Sequence, residues 1–149
     1  MLQAGAPVPN VAAEDDAGAT VRLRDLGKKA LVVYFYPRAD TPGCTNETIQ
    51  FSQLNKSFGK KGVTVVGVSR DTVAAQAKFK AKYDVPFALL ADVESAICDA
   101  FGVIVEKNMY GKKSLGIQRS TFLIQNGAVT KVWPKVKVEG HAAEVLSSL

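Results

Sequence analysis

Seven consecutive apolar residues, Ala30-Leu31-Val32-Val33-Tyr34-Phe35-Tyr36, stand out in the pattern of the chain. The run is rich in β-branched and aromatic residues and is closed by Pro37, so it predicts a strand buried on both faces. Shorter runs predict strands over Thr20–Leu23, Val63–Ser69, Phe87–Ala91, Ser120–Gln125 and Ala128–Pro134. Asn126-Gly127 separates the last two and is a strong hairpin signal. Helix-length segments fill the earlier gaps, at Thr45–Lys61, Thr72–Tyr83 and Asp92–Phe101, and Ala142–Leu149 predicts a closing helix. In the first of these, Phe51, Leu54 and Phe58 recur on one stripe. Strands that alternate with helices imply right-handed crossovers and a parallel core, to which the late hairpin adds an antiparallel part. The expected class is α/β, a central mixed sheet flanked by helices.

Composition narrows the possibilities. A chain of 149 residues, 47% hydrophobic, predicts one domain, 1–149, with an ordinary core. No apolar run approaches the roughly 20 residues that span a bilayer, so no membrane partner is expected. The segment Met1 to Pro7 lacks the basic start and apolar stretch of a signal peptide, and a cytoplasmic address is the expectation. Lys and Arg outnumber Asp and Glu by 19 to 14, a net charge of +5. The basic residues are scattered (Lys28-Lys29, Lys60-Lys61, Lys78-Lys80-Lys82, Lys112-Lys113), without the concentrated, aromatic-interleaved footprint of a nucleic-acid binder. One His and two Cys are too few for a protein-only zinc site, and no glycine-rich phosphate loop is present. No metal and no cofactor are expected.

The two thiols, Cys44 and Cys98, lie 54 positions apart, which is no disulfide framework. Cys44 is the informative one. It falls just beyond the apolar strand, in the first turn of the helix that follows, where in open α/β sheets reactive sites gather. Unpaired backbone N–H groups and the positive helix end at such a position favour thiolate over thiol.

The surrounding residues carry a resemblance. Pro37-x-x-x-Thr41-x-x-Cys44 is similar to the active-site pattern of peroxiredoxins, and Thr41-Pro42-Gly43-Cys44-Thr45 with Glu47 resembles the bacterioferritin comigratory protein (PrxQ) subfamily. Gly67-Val68-Ser69-Arg70-Asp71, Pro86 to Asp92, Met109 to Lys113, Gly116 to Ile124 and Val136 to His141 resemble that subfamily in the same order. The resemblance implies a thioredoxin-like fold with an N-terminal β-hairpin extension. It further implies a thiol-dependent peroxidase that reduces hydrogen peroxide and organic hydroperoxides to water and alcohols. Cys44 would become a sulfenic acid. Thr41 would contact one peroxide oxygen and donate to sulfur or its partner, besides serving as a helix cap. Arg119 would bring a permanent charge that favours the thiolate and holds the peroxide. Pro37 and Pro42 would shape and shield the pocket, with backbone N–H groups around Gly43 and Cys44 forming an anion nest. Thr45 and Glu47 read first as residues that complement the helix dipole, and His141 and Trp133 as structural.

The chain departs from the subfamily at the second thiol. Ile49 stands where many relatives carry a resolving cysteine, and Thr72–Tyr83, the other usual place, has none. Cys98 remains, and beside Ile97 and Phe101 it reads mainly as a small, half-buried apolar residue. The expectation is therefore a one-cysteine cycle in which thioredoxin, or glutathione with glutaredoxin, supplies the second thiol to a monomer or weak homodimer. Cys98 as resolving cysteine, within the chain or across a dimer, is the alternative. A Cys-x-x-Cys oxidoreductase is excluded by Glu47, and a non-enzymatic binding module is the distant alternative.

Overall fold

The computed structural model describes the chain apart from Gly27 and Lys28, with Met109 described through its backbone. Lys28, one of the scattered basic residues, thus lies outside the described residues. The strands are β1 (Ala12–Asp15), β2 (Thr20–Arg22), β3 (Ala30–Phe35), β4 (Val63–Ser69), β5 (Leu89–Ala91), β6 (Ile104–Met109), β7 (Lys112–Ile117), β8 (Ser120–Gln125) and β9 (Ala128–Trp133). The α-helices are α1 (Pro42–Lys60), α2 (Val73–Tyr83), α3 (Ala96–Phe101) and α4 (His141–Ser147).

A seven-stranded sheet, in the order β2-β1-β5-β4-β3-β8-β9, forms the centre. As the seven-residue apolar run requires, β3 is buried throughout and lies in the interior of the sheet, parallel to β4 and antiparallel to β8. Its residues alternate between two cores. Val32, Tyr34 and Tyr36 face a cluster with Phe51 and Phe58 of α1, Phe79 of α2 and Val145 of α4. Leu31, Val33 and Phe35 face the other, with Ile97, Cys98 and Phe101 of α3. The hairpin β1–β2 pairs through β1 with β5 and so extends the sheet at its edge.

Two features depart from the sequence reading. The first is β6 and β7, which form a separate two-stranded hairpin where no element is expected. Its turn is Tyr110-Gly111, both with positive φ, and its side chains are largely exposed, so no buried face produces a hydrophobic period. The second is helix onset: α1 begins three residues earlier than expected, at Pro42, whereas α3 begins only at Ala96. Proline suits the first helical position, since its missing N–H would be unpaired there. Before α3, Ser95 is left-handed (φ 64°), and the Asp92 carboxylate accepts from the backbone N–H groups of Ile97 and Cys98, at 3.1 and 2.7 Å.

One glycine is fixed by packing. A methyl at Gly67 in β4 would lie 2.7 Å from Tyr34 Oη and 2.9 Å from Leu89 Cδ2. Tyr34 cannot yield, because it stacks on Tyr36 and Phe51 and shares a 2.9 Å hydrogen bond with Thr48. Gly67→Ala is expected to destabilise the fold by about 1–3 kcal/mol, the usual cost of overpacking. A thermal melt checks this, and an unchanged midpoint would contradict it.

Candidate active site

The chain leaves β3 through Pro37 and reaches α1 within a short loop held by two anchors. The Ala39 N–H donates to Asp71 Oδ2 at 2.7 Å, and that same oxygen accepts from Ser69 Oγ at 2.6 Å. Asp40, left-handed at φ 58°, binds Lys82 Nζ at 2.9 Å and accepts from Tyr83 Oη at 2.8 Å, at the end of α2. These bonds hold the Asp40 carboxyl below its usual range.

Thr41 occupies the N-cap position of α1, but its side chain makes no capping bond. Its hydroxyl donates instead to the Arg38 carbonyl at 2.8 Å. The expected donation to sulfur is therefore not made: with its hydrogen committed to Arg38, the Thr41 oxygen is an acceptor. Cys44 follows in the first turn, 1% exposed.

Arg119 arrives from the other end of the sequence, in the two-residue link between β7 and β8. Its Nη2 donates to Cys44 Sγ at 3.3 Å and its Nη1 to Glu47 Oε1 at 2.8 Å. The planar fork of a guanidinium presents donors to both at once in a fixed geometry, which a point-like ammonium does not. Burial opposes the charge on Arg119, yet Glu47 and Cys44 beside it outweigh that and leave its pKa raised. A methyl at Gly43 would stand 3.1 Å from Nη2, so a larger residue there would press on the guanidinium. Pro37 is half-buried and Pro42 exposed, in the segment that leads into Cys44.

Glu47 is more than the dipole partner the sequence suggests, and it sits beyond the first turn. It is buried at 1% exposure, and burial pushes its carboxyl up to about 7 even though Arg119 pulls it down. Its second oxygen, Oε2, has no partner among the described residues. The signal that points to it is its place three residues after Cys44, on the same helix face. Thr45 is half-buried and takes its helical bond from the Thr41 carbonyl.

His141 and Trp133 pack together near α1. The His141 ring shares a 2.7 Å hydrogen bond with Thr121 and packs edge-on against Phe51 and Trp133. Burial pushes its pKa down to about 4, so it is neutral at ordinary pH. Among the described residues no three His, Cys, Asp or Glu side chains gather as a metal site.

Cys98 is fully buried rather than half-buried, and burial together with the Asp92 carboxylate pushes its thiol far up. It belongs to the core beneath α3, whereas Cys44 belongs to the core beneath α1, on the opposite face of the sheet. Both thiols are free.

Comparison with known proteins identifies the family. The AhpC/TSA family model matches residues 4–132. Peroxiredoxin Bcp of Xanthomonas campestris is 50% identical over 89% of this chain and 83% of its own. Peroxiredoxin Bcp of Bacillus subtilis is 42% identical over 99% of this chain and 95% of its own. Among solved structures, the Xanthomonas campestris bacterioferritin comigratory protein superposes with a TM-score of 0.91 at 44% identity, covering 98% of this chain and 96% of its own. A cysteine-to-serine mutant of Xylella fastidiosa PrxQ gives 0.94 at 38% identity, covering 99% and 95%. The chain belongs to the AhpC/TSA family and, within it, to the Bcp/PrxQ peroxiredoxins. It is a thiol-dependent peroxidase, with peroxides as substrates and a thiol as reductant.

Proposed function

We propose that Cys44 is the peroxidatic nucleophile of a one-cysteine cycle acting on hydrogen peroxide and organic hydroperoxides. The observation that carries this reading is the Arg119 guanidinium bonded at once to Cys44 Sγ and to the buried Glu47. Those donors hold the attacking sulfur in place and can meet the charge that develops on the departing oxygen. The thiolate attacks one peroxide oxygen: an S–O bond forms, the O–O bond breaks, and the leaving alkoxide or hydroxide takes a proton and departs as alcohol or water. Thr41, with lone pairs free to accept, positions the hydroperoxide O–H. The Gly43 and Cys44 backbone and Pro37 and Pro42 shape and shield the pocket. The Xanthomonas protein has alkyl peroxide reduction activity, which supports organic hydroperoxides as substrates here.

The resolving thiol in this reading is external, from thioredoxin or from glutathione with glutaredoxin, and the working unit is a monomer or weak homodimer in the cytoplasm, where thiols are kept reduced. Cys98 in that role would have to bring its Cα within about 7 Å of that of Cys44, from the far side of the sheet. It would also have to abandon the Asp92 contact at the start of α3.

Reduced protein treated with one equivalent of peroxide, thiol-trapped and weighed intact, tests the cycle. The expected result is one added oxygen on Cys44 with Cys98 still free. Loss of two hydrogens at monomer mass would establish the two-cysteine alternative. Cys98→Ala is expected to keep steady-state turnover within about twofold while costing about 1 kcal/mol for the small cavity. Collapse of turnover in a variant that still melts cooperatively would reject the one-cysteine cycle.

A further inference from the structure

Two further cations, Lys107 and Arg70, stand on or against the hairpin that leads to Arg119. The β6–β7 hairpin leads directly into Gln118 and Arg119, and Arg70, just after β4, donates from Nη2 to the Leu115 carbonyl of β7 at 3.3 Å. Lys107 stands opposite Ser114 in the hairpin and runs diagonally over Gly116. A methyl at Gly116 would lie 3.2 and 3.3 Å from Lys107 Cδ and Cε and 3.7 Å from Nζ. The bare glycine is thus the track along which the lysine lies. Burial and the nearby Arg119 lower the pKa of Lys107, the Cys44 sulfur acts the other way, and Arg70 lowers it again, so all three reach its ammonium electrostatically.

Of the three cations, Arg119 is paired and the other two are not, among the described residues. Glu47 is bonded to Arg119, and the Asp71 carboxylate is taken up by Ala39 and Ser69. Glu106 is the strand neighbour of Lys107, hence on the other face, and pairs with Lys113 at 3.6 Å. Among the described residues, no carboxylate forms an ion pair with Lys107 or Arg70.

We propose that Lys107 and Arg70, flanking Arg119, form the docking site for the carboxylates of a small anionic thiol that resolves the oxidised Cys44. The inference rests on the one-cysteine cycle above and names its reductant by class. The thiol sulfur attacks Cys44–SOH: the S–S bond forms, the S–OH bond breaks, and water leaves with the thiol's proton. A second molecule of the same thiol attacks the mixed disulfide, releases the symmetrical disulfide and restores Cys44. The charge balance favours this order of events. Conversion of thiolate to neutral sulfenic acid removes one negative charge while every cation stays, so the oxidised site draws anions more strongly than the reduced one.

The test measures resolution of preformed Cys44–SOH, by quenched intact mass, with mercaptosuccinate, 3-mercaptopropionate, 2-mercaptoethanol and cysteamine, rates being expressed per thiolate. The expected order follows carboxylate count, with mercaptosuccinate on the order of tenfold faster than neutral 2-mercaptoethanol at low ionic strength. That ratio should collapse towards one at about 1 M salt, where the Debye length is about 3 Å. Lys107→Glu and Arg70→Glu should collapse the same ratio, and the neutral thiol in each variant controls for folding and sulfenic-acid reactivity. A flat charge series with Cys44–SOH intact, or an unaltered ratio in both variants, overturns this inference alone. An intramolecular disulfide on oxidation overturns the one-cysteine cycle and the inference with it.

Discussion

Cys44→Ser is expected to lower peroxide turnover by at least about a thousandfold with every reductant, as removal of a catalytic nucleophile does elsewhere. The hydroxyl does not ionise near neutral pH, so the Arg119 fork would face a neutral oxygen instead of a polarisable anion. Folding does not explain such a loss in advance: the side chain is nearly isosteric, and an alternative donor–acceptor geometry with Arg119 is available to a hydroxyl. Peroxide consumption in the presence of thioredoxin or glutathione, beside a thermal melt, makes the measurement. Turnover near wild type in a folded variant would remove Cys44 from the reaction.

Arg119→Ala carries the second large effect, on two scales. Loss of the donor to sulfur should slow the peroxide step by about 10²–10³-fold, the range for removing one preorganised donor. Loss of the partner of a buried carboxylate should destabilise the fold by about 3 kcal/mol. The stability effect has a pH signature. The folded-state pKa of Glu47 is raised, to about 7 from an ordinary value of 4.5, so between these values the native state holds more protons than the unfolded one and stability falls as pH rises. In wild type that decline levels off near pH 7. Without Arg119 the carboxyl is raised further and the decline continues, so the gap between the two proteins should open above pH 7. Denaturant unfolding at pH 5, 7 and 8.5 measures it. A gap that stays constant across the three would show that Arg119 does not stabilise the Glu47 charge, and unimpaired single-turnover peroxide reduction would remove it from the peroxide step.

Much of the framework can be read directly from the chain because its determinants are local. The β3 run, the Asn126-Gly127 turn and the Phe51–Leu54–Phe58 stripe each declare an element within a few residues. β1 is legible only through the N-terminal hairpin that the resemblance implies, since Ala-Ala-Glu-Asp has little strand propensity of its own; pairing with β2 and β5 makes it a strand. β6 and β7 escape for a different reason, being exposed at most positions and lacking a buried face. At the site, Cys44 is legible from its place just beyond the apolar strand, Pro37, Thr41 and Arg119 come from the resemblance, and the structure brings sulfur and guanidinium into contact. The weight of Glu47 is hidden because the partner that defines it stands 72 positions away. The Thr41 bond to Arg38 is hidden as well, since loop curvature rather than sequence decides which carbonyl the hydroxyl meets.

The pairing of β3 with both β4 and β8 also bears on how the protein acquires activity. Cys44 follows β3 and belongs to the β3-α1-β4 unit, whose β3–β4 pairs are much closer in sequence than the β3–β8 pairs. Arg119 enters only when β8 pairs across the gap, with Ser120 opposite Phe35. Closing so long a loop is the slow kind of step in folding. A chain in which β8 has not paired holds its thiol without its guanidinium, so peroxidase competence requires the docking of β8 as well as the helix that bears the nucleophile.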